Sequence, residues 1–315
     1  MTAHARPLPV TATAEGPARI RAAGTLRLLT WPVLAASGAD AVVTARSGGV
    51  SSGPYATLNL SLSVGDDPAH VLENRRRLAQ TLGAGLDDFV FARQVHGTGV
   101  RVVGQADAGS GAFSLDDAIP GADALVTRSP GVLLAILTAD CVPIVLHDPV
   151  AGVLACVHAG WRGTVARVSA AALAAMQTLG SHPSQVIAGV GPAASPARYQ
   201  VGADVHQAVT GAFGPAAAAF LRPDDTGGIP DRWLLDLWAA NRFILLEAGV
   251  PAAQVHVTDL PTGPLDPRAA SPAGPPDPPA TSDGHFFSDR AARPCGRLAL
   301  VARLRRGQQT MGVTP

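Results

Sequence analysis

The most apolar run of the chain, Gly131 to Leu146, is interrupted by Asp140 and Pro143. It is too short and too polar to span a bilayer. It reads instead as two β-rich segments, Leu133–Thr138 and Pro143–His147, with a turn between them. Further short β-rich runs lie at Ala41–Arg46, Phe89–Gln94, Val100–Val103, Ala124–Thr127, Gly152–His158 and Val186–Val190. Helices are interspersed. One opens at Asp67–Pro68, presents Val71, Leu72, Leu78 and Leu82, and ends at Gly83, with proline and glycine where a helix start and stop want them. A second runs from Thr164 to Leu179, with Gly180 just past its end, and a third over about Asp231–Ala248. Hairpin-like strand spacing with scattered helices predicts an α/β fold with a mixed sheet and not a regular βαβ repeat.

The 315 residues are 47% hydrophobic and 15% charged, enough for a large core. With 24 basic against 24 acidic side chains there is no positive excess to grip nucleic acid or an anionic membrane, so neither is expected as a partner. Residues 1–24 show no periodic apolar face and read as a disordered lead-in. Residues 263–283 carry seven prolines in 21 positions and read as an inserted loop. One domain over 25–306 and a tail over 307–315 remain. The N-terminus has arginines but no apolar signal core. Three cysteines, Cys141, Cys156 and Cys295, cannot build a disulfide framework. Both features point to the cytoplasm; the oligomeric state is not legible.

Three segments carry chemistry: Arg93-Gln94-Val95-His96-Gly97, Thr138-Ala139-Asp140-Cys141-Val142-Pro143, and Val157-His158-Ala159-Gly160-Trp161-Arg162-Gly163-Thr164. Each sets a His or Cys near a strand end before a turn, where a rigid scaffold can aim a side chain into a cleft. Two His and one Cys form a three-ligand zinc set with a fourth position open, although spacings of 45 and 17 residues match no local zinc signature. Cys141 paired with His96 or His158 could equally be a thiolate nucleophile with its base, and a lone Cys in an apolar strand is commonly core filler. Cys156 and Cys295 read as filler. A helix start after Arg162 suits an anion, as do backbone amides in the turn Arg46-Ser47-Gly48-Gly49-Val50-Ser51; plain capping by Thr164 and a plain surface turn explain them equally well. Asp140 either orients a ligand or caps a turn.

The stretches 44–78, RQVHGTGV (93–100), GADALVTRSPGVLLAILTADCVPIVLHD (121–148), VHAGWRGT (157–164), GVGPAASPARYQVG (189–202) and FFSDRAARPCGRLAL (286–300) together resemble the YfiH-like, laccase-domain family, first labelled multicopper polyphenol oxidases. The resemblance implies one compact α/β domain of mixed, sandwiched sheets with outer helices, related to cysteine hydrolases. It implies a metal site at His96, Cys141 and His158, holding zinc or else copper, with the same three residues catalytic. Arg46, Asn59, Asp140 and Arg162 are the candidate phosphate- or substrate-binding residues. The implied activity is phosphorolysis of adenosine, inosine, guanosine or methylthioadenosine, with phosphate as co-substrate and adenosine deamination as a second activity. Copper-dependent oxidation of phenols and metal-free cysteine hydrolysis are the alternatives. Three departures stand out: Asp289 where the family has Tyr, Pro261-Thr262 where it has Cys-Thr, and the 263–283 insertion. If the metal site exists, the ligating atoms of His96, Cys141 and His158 should lie ~3–4 Å apart.

Overall fold

The computed structural model describes residues 18–225, 230–264 and 284–306. Its strands, in chain order, are β1 (Arg19–Ala23), β2 (Leu26–Thr30), β3 (Ala39–Thr44), β4 (Phe89–Arg93), β5 (Val100–Val102), β6 (Ile119–Pro120), β7 (Ala124–Thr127) and β8 (Leu133–Thr138), followed by β9 (Val142–Asp148), β10 (Val153–Ala159), β11 (Ile187–Val190), β12 (Gln200–Val201), β13 (Leu221–Pro223), β14 (Trp233–Leu235), β15 (Val255–Val257) and β16 (Leu298–Leu304). The helices are α1 (Pro32–Ala36), α2 (Pro68–Thr81), α3 (Trp161–Val165), α4 (Val168–Thr178), α5 (Ala203–Phe213) and α6 (Leu237–Glu247). One sheet has the order β1-β2-β3-β16-β8-β4-β6, a second β15-β11-β9-β10-β7-β5, and a small third β12-β14-β13.

The two large sheets stack face to face because their central strands are apolar on both sides. Leu154 and Cys156 of β10, Val145 of β9 and Leu125 of β7 meet Leu134 and Ile136 of β8 and Leu298 and Leu300 of β16. Each such leucine or isoleucine, buried completely, contributes roughly 1.5–3 kcal/mol. The opposite residues of β10, Ala155 and Val157, face outward and are covered by Ala172 and Met176 of α4, Val205 of α5 and Ile244 of α6. On the far side, Phe89, Phe91, Leu133 and Val301 lie under Leu78 and Ala79 of α2. The result is helix, sheet, sheet, helix, the sandwich that the resemblance implied.

Topology then places one end of the sandwich apart from the rest. β4 runs parallel to β6 and to β8, so these three strands of the first sheet finish at the same end. Each is followed by a strand of the second sheet: β4 by β5, β6 by β7, β8 by β9. Three connections therefore cross from sheet to sheet side by side. β10 is antiparallel to β7 and to β9, so it ends beside the strands that those crossings start.

Several sequence expectations need correction. Residues 19–23 are not a lead-in: Gly24-Thr25 forms a two-residue hairpin that pairs Ala23 with Leu26 and Arg19 with Thr30. Residues 1–17, the 307–315 tail and most of the 263–283 insertion lie outside the described residues. The second predicted helix is two: Arg167 adopts a left-handed conformation (φ 62°) and separates α3 from α4. Thr164 does not cap it but lies buried inside α3, accepting a hydrogen bond from Asn241 Nδ2 at 2.9 Å. The third begins only at Leu237, where Asp236 accepts from the Ala239 amide; Trp233–Leu235 before it is strand. Among the described residues no helix is long and apolar enough to cross a membrane.

Buried Arg75 locks α2 to the sheet. It donates to the carbonyls of Leu60 (2.9 Å), Gly111 (2.7 Å) and Ala112 (2.7 Å), and its guanidinium lies 4.0 Å from the Phe91 ring centroid. Replacing it by Leu leaves three buried acceptors without a donor. Arg75→Leu should lower stability by about 3 kcal/mol, read as a reduced midpoint in urea unfolding.

Candidate active site

The three crossings and the end of β10 carry the residues of interest. The β6–β7 crossing contributes Asp123, fully buried. Its carboxylate accepts from the backbone amides of Val95 (3.2 Å), His96 (3.0 Å) and Gly97 (2.7 Å), which belong to the β4–β5 crossing. It also accepts from His158 Nδ1 at 2.8 Å. A carboxylate can only accept, so this bond fixes the proton on Nδ1 and leaves Nε2 for the cluster. Gln94 holds the same crossing from the other side: its amide donates to Leu137 O and accepts from Leu137 N, both at 2.8 Å, extending the β4–β8 pairing with a side chain.

The β8–β9 crossing carries Cys141. Thr138 Oγ1 donates to Cys141 O at 2.5 Å and closes the turn. His96 (φ 60°) and Asp140 (φ 82°) both occupy the left-handed region, at a cost of about 1 kcal/mol or more each that the surrounding bonds offset. Gly160, after β10, admits no side chain: a Cβ there would lie 2.8 Å from Cys141 Sγ and 3.1 Å from His96 Cδ2.

So placed, His96, Cys141 and His158 bring their ligating atoms within 4.8 Å of one another, and among the described residues no other such group occurs. The two imidazoles meet edge to face with centroids 4.7 Å apart. The spacing is wider than the expected ~3–4 Å, and closing it by about 1 Å would reach tetrahedral zinc geometry. The cluster runs from exposed His96 through half-buried Cys141 to buried His158. Burial opposes ionisation of the Cys141 thiol, but the charge and hydrogen bond of His158, and then those of His96, outweigh it and bring Cys141 down to about 6. Burial likewise opposes protonation of His158, yet the Cys141 thiolate and Asp123 raise it to about 9. For Asp123 burial is again overcome, here by the bonds from His158 and Gly97, and its carboxyl sits below the usual range. A soft thiolate and an oriented imidazole form a donor set that fits a transition metal.

The remaining predicted residues divide. Asp140 is buried, accepting from Thr262 Oγ1 (2.5 Å) and from the Arg290 amide (2.6 Å), so it ties the C-terminal segments to the Cys141 turn and is not free for a ligand. Arg162 is exposed, its guanidinium 4.3 Å from the Trp161 ring centroid. Arg46 is turned away from the role expected of it, since Nε and Nη2 both donate to Ala56 O and the group rests on Phe287. The Gly48-Gly49 turn is no anion cradle either: the amides of Gly49, Val50 and Ser51 are bonded to Thr57 Oγ1, Asn74 Oδ1 and Thr57 O. Asn59 is also internal. It donates to Ser61 O and Asp66 and accepts from the amides of Ser61 and Arg297, which fills its capacity.

Sequence reasoning singled out neither Asp123, Tyr199 nor Arg290, although all three fall in the stretches that carry the resemblance. The Arg290 guanidinium lies 4.9 Å from the Tyr199 ring centroid, and Arg290, Asp140, Cys141 and Arg162 all act electrostatically on the Tyr199 hydroxyl. Asp289, the departure from Tyr, is paired with Arg293 and with Arg297 Nη2 at 2.9 Å. Cys156 lies buried between the sheets, and Cys295 accepts from Arg297 Nη1 at 3.1 Å.

The family described as multi-copper polyphenol oxidoreductase laccase matches residues 40–305. "Purine nucleoside phosphorylase ORF3" of Streptomyces griseus is 40% identical over 258 residues, 81% of this chain and 90% of that protein. "Purine nucleoside phosphorylase YlmD" of Geobacillus stearothermophilus is 40% identical over 71% of this chain and 80% of its own length. Its crystal structure superposes with a TM-score of 0.80, covering 93% of this chain and 100% of that one at 35% identity. "Adenosine deaminase RL5", from an unknown prokaryotic organism, is 39% identical over 69% of this chain and 82% of its own.

The thiolate–imidazolium pair has a pH signature. In metal-free protein, alkylation of Cys141 by iodoacetamide should rise with a midpoint near pH 6, in contrast to ~8.5 for a free thiol, because the thiolate persists down to the lowered pKa. Asp123→Asn withdraws a group that holds His158 protonated, so the midpoint should move upward; an unchanged profile would remove Asp123 from the pair.

Proposed function

This chain belongs to the multi-copper polyphenol oxidoreductase laccase family, and on that footing we propose that it cleaves the N-glycosidic bond of purine nucleosides with phosphate. The observation that carries the reading is the grouping of two guanidiniums, Arg162 and Arg290, with Cys141 around Tyr199, next to the His96–Cys141–His158 cluster. Two cations there suit an anion beside a partly buried cluster that is exposed on the His96 side. Adenosine, inosine, guanosine and methylthioadenosine are the proposed substrates. In the reaction a phosphate oxygen bonds to C1′ of the ribose as the C1′–N9 bond breaks, and the proton of hydrogen phosphate ends on the released base. Arg162 and Arg290 hold the phosphate and offset its charge near the electron-poor carbon. His96, Cys141 and His158 would hold zinc, which when bound supplies Lewis acidity.

A second reading, adenosine deamination at the same cluster, is favoured by the likeness to the relative named for it. Multi-copper oxidation is disfavoured, since among the described residues there is one three-ligand group and four-copper chemistry needs many more histidines. Metal-free cysteine hydrolysis is disfavoured because Cys141 is flanked by two imidazoles where a nucleophile needs one base. Free thiols at Cys141, Cys156 and Cys295 suit a cytoplasmic setting.

Adenosine supplied with phosphate should give adenine and ribose 1-phosphate, and base release should stop in phosphate-free buffer; equal release without phosphate would make the protein a hydrolase. Arg162→Ala should raise the KM for phosphate about tenfold or more, whereas unchanged kinetics would take Arg162 out of the site. Cys141→Ser should lose bound zinc by elemental analysis together with activity. Full zinc occupancy with no turnover, and a covalent adduct trapped on wild-type Cys141, would point instead to a nucleophile. Cys156→Ser should change neither quantity by more than about twofold.

A further inference from the structure

Arg290 lies in a turn, residues 288–292, that belongs to no strand or helix and is closed by the Ala292 amide donating to Ser288 O at 3.2 Å. A charged group on such a turn needs ties to a rigid element before it can hold a ligand at a defined place. Its amide donates to Asp140 Oδ2 at 2.6 Å, Nη1 donates to Gln200 O at 2.8 Å, and the guanidinium rests 4.9 Å from the Tyr199 ring centroid. Among the described residues Nε and Nη2 have no hydrogen-bond partner, so one edge of the guanidinium keeps two donors for an oxyanion. The tie to Asp140 differs from the others in what it joins. Asp140 is buried and directly precedes Cys141 in the β8–β9 crossing. Its main chain is held independently of its carboxylate: its carbonyl accepts from Ala194 N at 2.9 Å, and Thr138 Oγ1 closes the turn on Cys141 O. The carboxylate is engaged with the C-terminal segments, Oδ1 by Thr262 Oγ1 at 2.5 Å and Oδ2 by the Arg290 amide. One residue thus holds the Cys141 turn by its main chain and Arg290 by its side chain.

We infer that Asp140 is a positioning residue for phosphate: without touching substrate, its carboxylate fixes the Arg290 backbone, and so its guanidinium, relative to the turn that carries Cys141. The inference rests on the phosphorylase reading above, which gives Arg290 to the phosphate, and adds what holds that cation in place. The carboxylate works here as a hydrogen-bond acceptor for two donors and not as a carrier of protons. Asparagine can do most of this work, since its Oδ1 can accept from the Arg290 amide while the Thr262 hydroxyl turns to accept from Nδ2. Asparagine also tolerates the left-handed backbone at position 140 (φ 82°), and glycine does so freely, so neither substitution strains the turn.

The test is the Kd for inorganic phosphate by isothermal titration calorimetry, measured beside zinc content by elemental analysis. Asp140→Gly should raise the phosphate Kd about tenfold or more and keep the zinc content of wild type, because the main-chain bonds of the Cys141 turn remain. Asp140→Asn should bind phosphate within about threefold of wild type. Adding Arg290→Ala to Asp140→Gly should weaken binding no further than Arg290→Ala alone, since the carboxylate acts through that residue. Additive losses in the double variant would overturn the proposal, as would wild-type phosphate affinity in Asp140→Gly. Equal weakening in Asp140→Asn and Asp140→Gly would overturn it by assigning the effect to the buried charge, and loss of zinc in parallel with phosphate would do so by making Asp140 a support of the whole site. If the glycine protein does not fold, Asp140→Glu, which keeps the charge and moves the acceptor by one methylene, takes its place with the same expected loss, and wild-type affinity there overturns the proposal. A wild type that binds no phosphate and releases base without it defeats the phosphorylase reading and this inference together; a wild type that binds phosphate beside an indifferent Asp140→Gly defeats the inference alone.

Discussion

The Asp123 carboxylate gathers three consecutive amides of one sheet crossing and the imidazole of His158 at the end of β10. Four donors on one buried carboxylate keep it ionised where burial alone would not. His96 is held in a left-handed conformation by those amides, and His158 is held in one tautomer by the fourth bond. Cys141 then completes the group because Gly160 leaves room for its sulfur. Remove the carboxylate and the two imidazoles lose their common reference, although each remains on its own strand end.

The arrangement explains why residues 45 and 17 positions apart act together. The chain repeats one move: a strand of the first sheet, a short crossing, a strand of the second. Three repeats stack three crossings at one end of the sandwich, and the chemistry-bearing side chains collect there. The gradient from exposed His96 to buried His158 follows from the same layout, since the β4–β5 crossing is at the surface and β10 is central in its sheet. Solvent reaches one imidazole while the other stays shielded in the core.

Much of this was legible in residue patterns. Ala124–Thr127 and Leu133–Thr138 have the predicted bounds, and α2 starts after its Asp67 cap and stops before Gly83 because proline and glycine act locally. What pattern could not show depends on partners distant in sequence. Arg46 looks free until Ala56 and Phe287 are seen beside it. Asn59 looks like a ligand until its four bonds are counted. Thr164 looks like a cap until Asn241, 77 residues on, claims its hydroxyl. Asp123 sits among small apolar residues and has no local motif of its own; only the fold brings Val95, His96, Gly97 and His158 around it. The 19–23 strand was missed for a different reason: its residues are mostly exposed, so no apolar face announces it.

Asp140 receives Thr262 from one side of the 265–283 segment and Arg290 from the other, and Gly263 N donates to Phe286 O at 3.2 Å across the same gap. The two ends of that segment are therefore brought together by bonds outside it. For a flexible connection between two fixed points, the entropy cost of closure grows only with the logarithm of its length, about 0.6 kcal/mol for each doubling. Chain length between Pro264 and Gly284 is in this sense nearly decoupled from stability. Evolution can change the number of residues between Pro264 and Gly284 without disturbing the carboxylate that holds Thr262 and Arg290.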